Sequence, residues 1–292
     1  MGLLDKAMNL RAAYTHQKRG YRLEERKEFS IVRGVLSKLG LPTANFDKNL
    51  STLLINEDYN DPYSTGNNAM IAGTYNARTN ILNLPENEED TIHELFHMAS
   101  NDLDNKETLD GCKIKTLGST FGTSFNEGIA DYFTSLAVSN YTFRYPYEAL
   151  IVKYIAKVYG YDIFREHFNG NAQAFYDAFK NDKPFILSLG VLLDKFHEIS
   201  QKCILSGNPL SFKENADEAS EAFISAMGGF LTLLQLKNID ETEFLDELRA
   251  LMNTQNSEYI TAINSFFELR SRNHGIDNVL KDITLEEGVG LK

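Results

Sequence analysis

The sequence predicts an α+β protein, with a small sheet early in the chain and helices making up most of the remainder. Three observations predict it. Short β-prone runs cluster between residues 51 and 84, apolar residues recur at helical spacing over nearly everything after Pro85, and no repeat of fixed period divides the chain.

Residues 4–39 read as mostly helix. Leu4, Met8, Leu10 and Ala13, then Phe29, Val32, Val35 and Leu36, recur at helical spacing, and Gly40 with Pro42 ends the run. Residues 51–55 form a short β-prone run. Residues 70–75 and 80–84 flank the turn-like Asn76-Ala77-Arg78-Thr79 and read as a hairpin. Helices are expected at 88–102, 125–139, 146–159, 171–180, 184–205, 214–236, 240–254 and 256–272. Gly160, Gly170 and Gly207 serve as stops, and Pro146 suits a first helical turn. Residues 283–292 read as a polar tail. No Pro- or Ser-rich linker marks a boundary, so a division into 1–145 and 146–292 rests only on the change to wholly helical character.

The 29 Lys and Arg against 41 Asp and Glu give a net charge of −12, the wrong sign for a surface that tracks phosphates. Nucleic acid is excluded as a main partner. With 42% hydrophobic residues the chain can bury a core. Two cysteines, Cys112 and Cys203, exclude a disulfide framework but leave room for one long-range bridge; read singly, each is a buried small hydrophobe. Asp5, Lys6, Asn9 and Arg11 interrupt any signal-like apolar run, and Lys6 stands where N-myristoylation needs Ser or Thr. The most apolar window, 222–236, contains Ser225, Thr232 and Gln235 and is short for a bilayer span. A soluble protein is expected, cytoplasmic by default, with secretion open if a leader has been removed. The oligomeric state is not specified.

The informative segment is His93-Glu94-Leu95-Phe96-His97. On a helix, His93 and His97 lie one turn apart on one face, so two imidazoles can converge on one ion. Glu94 leaves the helix beside them, where its carboxylate can reach a metal-bound water without being a ligand. A catalytic zinc normally keeps three protein ligands and one open position. Glu127 and Asp131 supply candidates: they are again i and i+4, on the otherwise apolar run Phe125, Ile129, Phe133 and Leu136. One carboxylate can ligate the metal while the other accepts the distal N–H of a ligating histidine. His16, His197 and His274 have no partner pattern and read as ordinary surface or core residues.

His93-Glu94-x-x-His97 followed by Asn126-Glu127-x-x-x-Asp131 resembles the gluzincin branch of zinc metallopeptidases, the thermolysin-like clan, including bacterial proteins of this type. The resemblance covers about residues 70–140 and continues loosely through Tyr145-Pro146-Tyr147-Glu148; residues 185–292 resemble no family. It implies a zincin-like fold, in which an edge hairpin leads into the active-site helix and holds peptide by strand addition. It further implies Zn2+ held by His93, His97 and Glu127, with Glu94 as general base and Asp131 as partner of a ligand, most readily His93. A downstream Tyr or His would stabilise the oxyanion; Tyr147 is preferred, with Tyr145 and His167 as alternatives. The spacing between His97 and Glu127 and the insertion at 102–123 depart from the thermolysin pattern. The chain also shows no acidic anchor for a substrate amino terminus, which favours an endopeptidase over an aminopeptidase. The expected function is zinc-dependent hydrolysis of peptide or protein substrates. The alternatives are a non-catalytic zincin-like binding or regulatory module with structural zinc, and a helical interaction protein with an accidental motif.

Overall fold

A computed structural model describes residues 26–56, 73–83, 88–105, 110–115, 119–206, 209–253 and 281. They are mostly helical with a small sheet, so the broad α+β class holds. The expected helices over 4–25 and 256–272 and the 283–292 tail lie outside the described residues. Two compact units emerge, each assembled from separate stretches of chain. One takes the described residues up to Ser119 with Ala130–Thr142 and Tyr161–Ala178; the other takes Thr120–Ile129, Phe143–Gly160 and the described residues from Phe179 on.

In the first unit, α1 (Lys27–Lys38) buries Phe29, Val32 and Leu36, and Gly40 follows it with φ +69. Helix α2 (Ala44–Thr52) takes in Ser51 and Thr52, which were expected in a strand; β1 is confined to Leu54–Asn56. Tertiary packing outweighs local β-propensity here. Phe46 and Leu50 are buried, and Asn49 donates to the carbonyls of Met98 and Asn101 at 2.8 and 2.7 Å. The hairpin forms as expected from β2 (Thr74–Asn76) and β3 (Ile81–Asn83), with Asn80 at φ +53 in its turn, a conformation asparagine tolerates. Among the described residues the sheet order is β1-β3-β2, which puts β2 at an edge.

Helix α3 (Glu88–Ala99) begins with Glu88, Glu89 and Asp90, which favour a helix N-terminus electrostatically. Every residue from Asp90 to Ala99 is buried. A helix enclosed on all faces has its orientation set by packing rather than by an amphipathic stripe. Phe96 meets Phe133 and Phe168 at ring-centroid distances of 5.7 and 6.5 Å. A short 3-10 turn (Tyr161–Phe164) and α6 (Arg165–Phe168), neither expected from the sequence, deliver Phe164 and Phe168 to that core. Helix α7 (Ala172–Asp177) and β4 (Ile114–Lys115) complete the unit.

Helix α4 (Thr123–Ala137) belongs to both units, its first half to the second and its last half to the first. The second unit adds β5 (Thr120–Phe121), α5 (Pro146–Tyr159), a 3-10 turn (Lys180–Asp182), α8 (Lys183–Ser206), α9 (Pro209–Leu236) and α10 (Thr242–Asn253). Residues 215–236 are long and apolar enough to cross a membrane by length and composition, more than the 222–236 window suggested, yet 67% of the most apolar window is buried within the structure. Core burial therefore accounts for its apolarity. Lys153 of α5 pairs with Glu247 of α10 at 2.6 Å beside the edge-to-face rings of Tyr154 and Phe244.

At Gly128, α4 approaches α5 closely. A Cβ there would sit 2.8 Å from the backbone carbon and oxygen of Glu148, closer than real Cβ contacts come. Gly128→Ala should therefore destabilise the protein by about 1–3 kcal/mol, the usual range for overpacking. Chemical denaturation measures this; an unchanged midpoint would show that the helices can part without loss.

Candidate metal centre

His93 and His97 sit one turn apart in α3, 1% and 6% exposed. Their Nε2 atoms face each other at 3.1 Å. The opposite ring nitrogens face carboxylates: His93 Nδ1 lies 3.2 Å from Asp131 Oδ1, and His97 Nδ1 lies 3.4 Å from Asp110 Oδ2. Such partners favour the proton on Nδ1 and leave Nε2 as a lone pair. Two lone pairs facing each other in a buried site repel unless a proton or a cation stands between them.

Each carboxylate is itself held. Tyr141 donates its hydroxyl to Asp131 Oδ1 at 2.5 Å. Lys113 Nζ lies 2.9 Å from Asp110 Oδ1. Burial alone would raise the Asp110 pKa, but the Lys113 charge and the contact with His97 hold it well below the usual carboxylate range. The loop carrying Asp110 is tied to the end of α3, where Gly111 N–H donates to the Ser100 carbonyl at 2.9 Å.

Glu127 precedes Asp131 by one turn of α4, so the helix that brings Asp131 to His93 also carries Glu127. The ligand atoms of His93, His97 and Glu127 lie within 4.8 Å of one another. Two imidazole nitrogens and one carboxylate oxygen form a donor set suited to zinc. The 3.1 Å between the nitrogens is close to the roughly 3.3 Å that two nitrogens at zinc-like bond lengths would span on one tetrahedral ion. The three residues could thus hold a metal ion.

Glu94 is 7% exposed, and its Oε2 accepts the backbone N–H of Tyr75 at 2.8 Å. That N–H points away from β3, so the edge strand spends it on the carboxylate rather than on the sheet. The Tyr75 side chain anchors the strand in turn. Its hydroxyl donates to Asn80 Oδ1 at 2.9 Å and accepts from Asn101 Nδ2 at 2.7 Å, while Asn80 Nδ2 reaches the Asn49 carbonyl at 2.7 Å. Buried asparagines thereby lock the hairpin to the helix that carries the histidines.

The structure separates the three downstream candidates. Tyr147 is fully buried, its ring 4.9 Å from that of Phe223 and 6.3 Å from that of Phe196, which makes it a packing residue rather than an exposed donor. Burial and the neighbouring Glu148 charge push its hydroxyl pKa up. His167 is buried against Phe168 and Phe175, its Nδ1 has no hydrogen-bond partner among the described residues, and burial pushes its pKa down to about 3, so it is neutral. Tyr145 is partly exposed, its ring 5.3 Å from that of His197.

His197, read from the sequence as ordinary, is paired. Its Nδ1 lies 3.3 Å from Oε1 of Glu148, which is 1% exposed. Burial would lower the His197 pKa, but the Glu148 contact and the charges of Glu148, Glu127 and Asp194 raise it overall. Forty-nine residues separate the pair, so no local pattern could have linked them. Asp110 was also missed; its signal was only an acidic residue in the insertion after the motif. Cys112 is buried, as expected, while the Cys203 side chain lies outside the description.

Comparison with protein-family models, curated proteins and solved structures finds no match to this chain.

A raised folded-state pKa contributes stability that is fully present below the unfolded value and is lost as pH rises through the folded one. Glu148→Gln should therefore lower the His197 pKa, followed by NMR titration of the imidazole. The stability gap between wild type and variant should narrow as pH rises through the wild-type value. An unmoved titration would contradict the pairing.

Proposed function

We propose that this chain is a zinc-dependent peptidase of the gluzincin type, acting on peptide or protein substrates and more suited to internal bonds than to chain ends. The observation that carries the reading is the pair of Nε2 atoms facing each other at 3.1 Å, each imidazole backed by a buried carboxylate. A buried His–His contact of this kind is wasteful in a packing helix and purposeful around a cation.

His93, His97 and Glu127 would hold the ion, with Asp131 and Asp110 orienting the two rings. When bound, zinc supplies Lewis-acid activation of water and of a substrate carbonyl. Glu94 would serve as the general base: the Tyr75 N–H holds its carboxylate, which would accept a proton from the attacking water and pass it to the leaving amine. The Tyr75 N–H also orients the carboxylate, which reduces the rearrangement needed at the moment of reaction. For the developing oxyanion we favour His197 over Tyr147. Glu148 favours its protonated form, and its charge is felt at Glu127. A structural zinc site would have no use for a carboxylate held as Glu94 is, which weighs against the non-catalytic module.

The purified protein should carry about one zinc per chain. Glu94→Gln should keep that zinc and lose about 10²–10⁴-fold in peptide hydrolysis, as expected for removal of a general base. Metal analysis and cleavage of a peptide library check both. Folded protein that takes up no zinc would sink the reading; zinc-loaded protein that cleaves nothing would favour the binding module.

A further inference from the structure

The long helix α8 presents Gly190, Asp194 and His197 at i, i+4 and i+7, which places them along one face. Each meets something that governs α4 or its neighbour α5. At Gly190 a Cβ would sit 2.9 Å from Phe121 Cζ and 3.1 Å from Phe125 Cε2, so the missing side chain lets the start of α4 press against α8. His197 pairs with Glu148 of α5. Asp194 makes the most directed contact. Its Oδ2 accepts the Gly122 N–H at 2.6 Å and its Oδ1 accepts the Ser124 N–H at 2.8 Å.

The first N–H groups of a helix have no partner within it. A carboxylate there both satisfies them and meets the positive end of the helix dipole. Helix α4 has no acidic residue in its own first turn. Asp194 supplies that carboxylate from another helix, seventy residues away. Glu127 lies three residues beyond Ser124, so a helix pinned at Gly122 and Ser124 has Glu127 fixed one turn later.

We propose that Asp194 is a positioning residue for the metal centre, gripping the start of α4 through its backbone so that Glu127 is presented as the third ligand. This rests on the metal reading above. It gives α8 a role the sequence left blank: the helix sets the ligand geometry without contributing a ligand.

The test uses the full chain with zinc and cobalt as probes. Zinc affinity is read by chelator competition, and coordination by the visible absorption of the cobalt-substituted protein. Asp194→Ala should weaken zinc binding about 10–100-fold, the usual effect of losing an outer-shell partner, and reduce the intensity of the cobalt bands. Asp194→Asn, which keeps the size and one acceptor oxygen, should fall between wild type and alanine; it also carries the comparison should the alanine variant not fold. Glu247→Ala, which breaks the α5–α10 ion pair, serves as a control that lowers thermal stability and should leave zinc affinity and the cobalt spectrum as in wild type. Wild-type affinity and spectrum in both Asp194 variants would overturn the proposal. So would an equal loss in Glu247→Ala, which would reduce the effect to general destabilisation. A wild-type chain that binds neither ion overturns the metal centre itself, a result distinct from an unaffected Asp194 variant.

Discussion

Two imidazole nitrogens turned toward each other in a buried helix form the contact on which the rest of the site depends. With neither a proton nor a cation between them the two lone pairs repel, and burying them so is unfavourable. The contact persists because each ring is held from behind, His93 by Asp131 and His97 by Asp110, and because each of those carboxylates is held again, by Tyr141 and by Lys113. Every link draws in a different part of the chain. Asp131 requires α4, Asp110 requires the loop after α3, and Tyr141 requires the turn that ends α4. The burial of α3 on all faces follows from the same demand, since a helix free to roll would lose both contacts.

Burial and charge are balanced residue by residue around this point. Asp110 stays ionised deep in the structure because Lys113 lies beside it. His167, equally buried but without a carboxylate partner, stays neutral. His197 takes the opposite course because Glu148 faces it. His167 and His197 thus take opposite directions because their partners differ. The net charge of −12 acts on none of these directly; the work falls to a few acids at short range.

The parts legible in the sequence were those written in local spacing. The i, i+4 pairs His93/His97 and Glu127/Asp131 could be read because one helical turn is a property of four consecutive residues. The hairpin could be read because Asn76 to Asn80 make a turn between β-prone runs. The start of β1 was misjudged, since Phe46, Leu50 and the anchoring of Asn49 extend α2 through Thr52. Tyr147 looked available beside Pro146, but whether its ring faces the core depends on Phe196 and Phe223, far along the chain. Asp110, Glu148, Asp194 and His197 were illegible for the same reason. Each acts through a partner that only the folded chain supplies, and Asp194 acts through backbone N–H groups that every residue possesses.

X-ray absorption spectroscopy of the zinc-loaded protein tests the central claim most directly, because it reads the donor atoms without requiring a substrate. The account predicts a four-coordinate shell of two imidazole nitrogens and two oxygens, one from Glu127 and one from solvent, at about 2.0–2.2 Å. A sulfur scatterer at about 2.3 Å, or a shell lacking the outer-sphere signal of two imidazoles, would contradict it.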